Sequence, residues 1–112
     1  MQSRAWILAD SREKIWTDHW KVSSSELGYP DQDFWIEKTT LRAGMNAGVD
    51  AIEVNNGDLS FVVLPTRGMS IWKGAYRGLG LGWEAPVAGP VHPQFVDLLD
   101  RSGLGWLQGF DE

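Results

Sequence analysis

Apolar and polar positions along this chain fall into short alternating runs rather than a helical period. "FWIEKTTLRA", beginning at Phe34, concentrates aromatic and β-branched residues and predicts a strand. "AGMNAG" interrupts it. In "VDAIEV", Val49, Ala51 and Glu53 fall on one side and Asp50, Ile52 and Val54 on the other, a strand without a clean apolar face. "NNGD" predicts a tight hairpin, because Asn-Gly supplies the positive φ that such a turn needs. "LSFVVL" then returns as a strand and Pro65 ends it. "MSIWKGAY" is the next strand, with Met69, Ile71, Lys73 and Ala75 opposing Ser70, Trp72, Gly74 and Tyr76. "RG" turns the chain into "LGLGW". Consecutive short strands with tight connections describe an antiparallel meander.

The flanks read differently. Residues 1–33 form an irregular N-terminal segment, in which "ADSREKIWTDHWK" admits either a helix start capped by Asp10 or Ser11, or a turn. "SSSELGYPDQD" is a loop by composition. Residues 34–112 form the β-rich part. After the proline-containing loop "EAPVAGPVHP", "PQFVDLLDRSG" predicts one short helix near residues 93–101. Pro93 suits the first turn, Phe95, Leu98 and Leu99 share a face, Asp97 and Arg101 are spaced to pair, and Gly103 stops it.

Composition narrows the function classes. A chain of 112 residues accommodates one small domain. The net charge of −5, with basic residues scattered, argues against nucleic acid as a partner, since counterion release needs a cationic stripe. There are no cysteines, which excludes disulfides, thiolate metal sites and a cysteine nucleophile. The apolar stretch Ala5 to Ala9 is too short for a signal peptide or a membrane span, so a cytoplasmic protein without membrane contact is expected. Seven tryptophans are many for this length, either filling a β core or offering flat faces on which sugar rings stack.

Candidate chemistry is sparse. "GLGLG" and "GLGWLQG" contain G-x-G but lack the strand-before, helix-after context of a phosphate cradle, and no cofactor is expected. His19 and His92 have no companion at metal-ligand spacing, so no metal is expected. Arg67, at the end of "FVVLPT" beside Gly68, can fork onto ligand oxygens or onto the carbonyls of its own turn; local pattern leaves both open.

Taken together, "LPTRGMSIW", "YRG", "LGWEAP" and "GLGWLQGF" resemble the N-terminal part of the aldose 1-epimerase-like proteins of the galactose-mutarotase-like superfamily, in a functionally uncharacterised branch. The resemblance runs from about Ala43 to Glu112. It implies a mainly β protein, its meander forming part of a galactose-mutarotase-like supersandwich that binds a sugar in a concave face. In that family a glutamate base and a histidine acid interconvert ring anomers. Neither maps onto a residue here, and Ser70 stands where the family pattern often has aspartate. The expected function is therefore a carbohydrate-binding, aldose 1-epimerase-like protein or an N-terminal fragment of one, not catalytic as an isolated chain. The alternative is a small non-enzymatic β module for self-association or ligand binding. Substrate-binding candidates are Arg67, Trp83, His92 and Trp106. A homo-oligomer is expected, because a meander drawn from a larger sandwich leaves an unpaired edge and an uncovered apolar face.

Overall fold

The computed structural model describes residues 3–82, 84–85, 89–97, 99 and 101–102. A two-stranded ribbon pairs β1 (Ala9–Asp10) with β2 (Ile15–Trp16). A six-stranded antiparallel sheet then follows chain order: β3 (Trp20–Ser23), β4 (Trp35–Thr40), β5 (Asp50–Asn55), β6 (Leu59–Leu64), β7 (Ser70–Tyr76) and β8 (Leu79–Leu81). This is the meander expected from the sequence. It begins one strand earlier, because "WKVS" in the segment read as irregular pairs with β4, Val22 opposite Ile36. The possible helix start at Asp10 is instead a turn: Asp10 Oδ1 accepts from the backbone N–H groups of Arg12 and Glu13 at 2.9 and 3.3 Å.

Turn chemistry sets the hairpins. At 56–58, Gly57 has φ 97°, and Asn56 Oδ1 accepts from the amides of Asp58 and Leu59. Between β7 and β8, Arg77 and Gly78 both have positive φ, 48° and 81°, as a type I′ connection requires. The amide of Arg77 donates to the carbonyl of Asp58 at 2.8 Å, joining the two hairpin tips. The opposite end of the sheet carries the longer β4–β5 loop, with a 3-10 turn at Gly44–Asn46, and the β6–β7 corner, with a 3-10 turn at Pro65–Arg67 closed by left-handed Gly68.

The predicted helix shrinks to a single 3-10 turn, Pro93–Phe95. Val96 is already extended, at φ −79° and ψ 123°. Asp97 Oδ1 accepts from the amide of Leu99, a local bond that competes with helix continuation. Leu99 is 87% exposed, so it adds little packing to a helix too short to be self-supporting. Leu98, Asp100 and Gly103, also part of that expectation, lie outside the described residues.

Register divides the sheet into two unlike faces. One carries transverse rows of apolar side chains: Val22, Ile36, Val54, Phe61 and Leu81 in one, Ile52, Val63 and Ile71 in the next. Over β3 and β4 the N-terminal segment covers this face, Trp6 packing on Trp20 with ring centroids 5.1 Å apart. Towards β8 it is open, with Ile71, Tyr76, Leu79 and Leu81 all exposed. The other face is mixed, its central row being Lys21, Glu37, Glu53, Val62 and Lys73. A buried cluster of Val49, Ala51, Val62 and Leu64 sits on it, flanked by Leu41 and Trp72.

A β-bulge explains how Trp72 arrives there. Val62 pairs with Lys73 but Val63 pairs with Ile71, leaving Trp72 as the extra residue of β7. Strict alternation had set Trp72 against Lys73; the bulge brings both to the mixed face.

Lys38 is 1% exposed on the apolar face. Its ammonium donates to the Thr17 carbonyl at 2.5 Å, to Asp50 Oδ1 at 3.1 Å and to Thr40 Oγ1 at 3.4 Å, under the Trp16 ring. A buried ammonium is tolerated because its donors are met.

Candidate functional site

At the long-loop end of the sheet, three segments distant in sequence meet: the β4–β5 loop, the β6–β7 corner and residues 89–95. Proline at position 65 and left-handed Gly68 force the chain through a tight corner, from which Arg67 projects. Its Nη1 donates to the Val91 carbonyl at 2.6 Å. That carbonyl lies 24 residues away, so this bond ties the β6–β7 corner to a distant segment. Charge-assisted bonds of this kind contribute about 1.5–3 kcal/mol. Pro90 and Val91 are themselves fully buried.

His92 follows directly. Its backbone N–H donates to the Met45 carbonyl at 2.8 Å. Its ring Nδ1 accepts from the amide of Gln94 at 3.1 Å, capping the 3-10 turn. A neutral imidazole that accepts at Nδ1 carries its proton on Nε2, so the remaining ring nitrogen is a donor. The ring lies over Gly48, where an added Cβ would sit 3.1 Å from Cδ2 and 3.5 Å from Nε2. Phe95 meets it edge-on, with centroids 6.3 Å apart. The half-buried ring is thus fixed on several sides, and it can offer one N–H to an oxygen-bearing ligand.

Of the four residues singled out from sequence, the structure brings Arg67 and His92 to one corner, linked through Val91. Trp83 and Trp106 lie outside the described residues. Sequence reasoning missed the β4–β5 loop as part of this corner. The available signal was its glycines: Gly44 and Gly48 have φ 58° and 92°, so "AGMNAG" is a shaped loop rather than a mere interruption.

A second feature lies on the mixed face. A groove of about 130 Å³ is lined by Glu37, Thr39, Leu41, Ala51, Glu53, Val62, Trp72 and Lys73. Glu37 and Glu53 are directly opposite in register, a repulsive placement, and Glu37 is met by His19 Nε2 at 2.7 Å. The Lys73 ammonium sits 4.1 Å from the centre of the Trp72 ring, so a planar ligand stacking on that face would displace it. Among the described residues no group of three or more His, Cys, Asp or Glu is placed to hold a metal ion, and no helix is long and apolar enough to cross a membrane.

Known proteins place this geometry in a family. A sequence model of the family described as a domain of unknown function, DUF4432, matches residues 46–112. The solved structure of a "putative aldose 1-epimerase" from Klebsiella pneumoniae subsp. pneumoniae is similar with a TM-score of 0.87 and 36% identity. The match covers 96% of this chain and 28% of that one, so the chain spans little more than a quarter of that relative's length. No curated protein matches. The described residues share the antiparallel β fold of part of that relative, and the chain belongs to the DUF4432 family, a galactose-mutarotase-like family.

Proposed function

We propose that this chain supplies part of a monosaccharide-binding site in an aldose 1-epimerase-like protein. His92 donates its Nε2–H to a sugar oxygen, and Arg67 builds the corner that holds it. Trp83 and Trp106 are further contacts of the same proposal. The observation that carries the reading is the convergence of Arg67 and His92, through the Val91 carbonyl, in a chain of this family. Acid–base interconversion of anomers needs a paired base and acid. None is assignable here, so the chain alone binds without turning over, and a cytoplasmic setting is part of the proposal.

Titration with α-galactose and α-glucose, followed by tryptophan fluorescence, tests it. Wild type should show saturable change, lost in His92→Ala and in Arg67→Ala with circular dichroism intact. Polarimetry of fresh α-galactose should show the buffer rate. Absence of any saturable change in wild type would sink the sugar reading. A second reading, a non-enzymatic module for self-association, is favoured by the exposed row of Ile71, Tyr76, Leu79 and Leu81 beside the edge strand β8.

A further inference from the structure

The Val91 carbonyl and the His92 N–H are the two polar groups of one peptide bond. Each is held by a different segment. Arg67 Nη1 donates to the carbonyl at 2.6 Å from the β6–β7 corner. The Met45 carbonyl accepts the N–H at 2.8 Å from the β4–β5 loop. In a trans planar peptide these groups point in opposite directions, so the unit is gripped from both sides and cannot rotate about its flanking bonds. No cis peptide occurs among the described residues.

We propose that Arg67 is a positioning residue that acts through this peptide to hold the His92 ring in one orientation and one tautomer. With both polar groups of the peptide tied, the backbone that carries the His92 ring is held between the β6–β7 corner and the β4–β5 loop. With the peptide fixed, the ring falls where Nδ1 meets the amide of Gln94 and its far edge meets Gly48. Gly48 contributes by having no side chain, and its φ of 92° suits glycine. The guanidinium supplies what a neutral donor would not, a charge-assisted bond from a planar fork whose direction is set by the 3-10 turn behind it. Arg67 has further interactions in the structure, so its substitution perturbs more than one bond. The ring therefore has to be read directly.

This inference rests on the reading of His92 as the ligand-facing group, but its test needs no ligand. Nitrogen-15 spectra of the histidine rings report which ring nitrogen carries the proton. In wild type, His92 should give two well-separated ring nitrogens, with Nδ1 the unprotonated one. In Arg67→Ala the two should move towards a common averaged position as the Gln94 bond is released. Arg67→Lys, which keeps the charge but not the fork, should fall between. His19, which meets Glu37 on β4 at 2.7 Å, serves as the internal control and should not move. An unchanged His92 pattern in a folded Arg67→Ala protein overturns the proposal. If that variant fails to fold, Arg67→Lys decides: partial averaging supports the proposal and a wild-type pattern overturns it. A wild-type chain that ignores α-galactose while His92 responds to Arg67 substitution would reject the sugar reading and leave the positioning role standing.

Discussion

The Lys38–Asp50 pair gives a prediction whose size and asymmetry both follow from burial. The Lys38 side chain is 2% exposed and that of Asp50 is 16% exposed. Asp50 also keeps a bond from the Thr40 hydroxyl at 2.9 Å when the lysine is gone. Lys38→Met retains the apolar stem and removes the charge, leaving the Thr17 carbonyl and a partly solvated carboxylate without their donor. Breaking a buried pair from one side costs about 3–5 kcal/mol, and the residual solvation of Asp50 puts this variant at the low end, about 2–3 kcal/mol. Asp50→Asn strands the ammonium in the more buried position and should cost more, about 3–5 kcal/mol. The double variant should cost less than the sum, because each single change leaves behind a group that the other removes. Urea denaturation followed by tryptophan fluorescence reads these values. At a slope of about 1.5 kcal/mol/M, a loss of about 3 kcal/mol lowers the midpoint by about 2 M. A Lys38→Met midpoint within about 0.3 M of wild type, or strict additivity of the two changes, would refute the view that the sheet depends on this pair.

Other outcomes follow from single contacts. Gly74→Ala places a Cβ 2.8 Å from the Ser60 carbonyl oxygen, so it should destabilise by about 1–3 kcal/mol, whereas Gly80→Ala meets nothing within 4 Å and should leave the melting temperature nearly unchanged. Ser70→Ala should be neutral or stabilising by about 1 kcal/mol in the same melt, because the buried Ser70 hydroxyl has no hydrogen-bond partner among the described residues. Sedimentation equilibrium at micromolar concentration should show a dimer or larger species, and Leu79→Lys should shift it to monomer. Hiding roughly 600 Å² of apolar surface yields about 15 kcal/mol before association costs of about 4–15 kcal/mol.

The strands were legible because their signals are local. Asn56-Gly57 and Arg77-Gly78 announce their turns, and Pro65 marks the end of β6 whatever the rest of the chain does. The mixed character of β5 was also visible, since Glu53 shares a side with Ala51, and the structure shows the reason: that side contributes both to the apolar cluster and to the groove. What stayed hidden was set by contacts between distant segments. Trp72 changes face because of a bulge that depends on how β6 and β7 pair, and no feature of "MSIWKGAY" encodes it. The helix expected from Phe95 and Leu99 needed burial that neither side chain has, both being exposed. Arg67 was left between a ligand and its own turn, and one acceptor it does have, the Val91 carbonyl 24 residues on, is brought beside it only by the fold.

The tie between the Arg77 amide and the Asp58 carbonyl joins two hairpin tips at the end of the sheet away from Arg67 and His92. The two ends therefore answer to different constraints. At one end, three distant segments interlock, and a residue gained or lost in any of them displaces the other two. At the other, turns of minimal length close on themselves and on each other, so a change there is absorbed within a few residues. Variation in length between relatives should accumulate at the Asn56–Asp58 and Arg77–Gly78 tips while the loops around His92 keep their spacing. The same tips are the natural places to attach a reporter, since a dye or a short epitope there would sit a full strand length from the corner it is meant to observe.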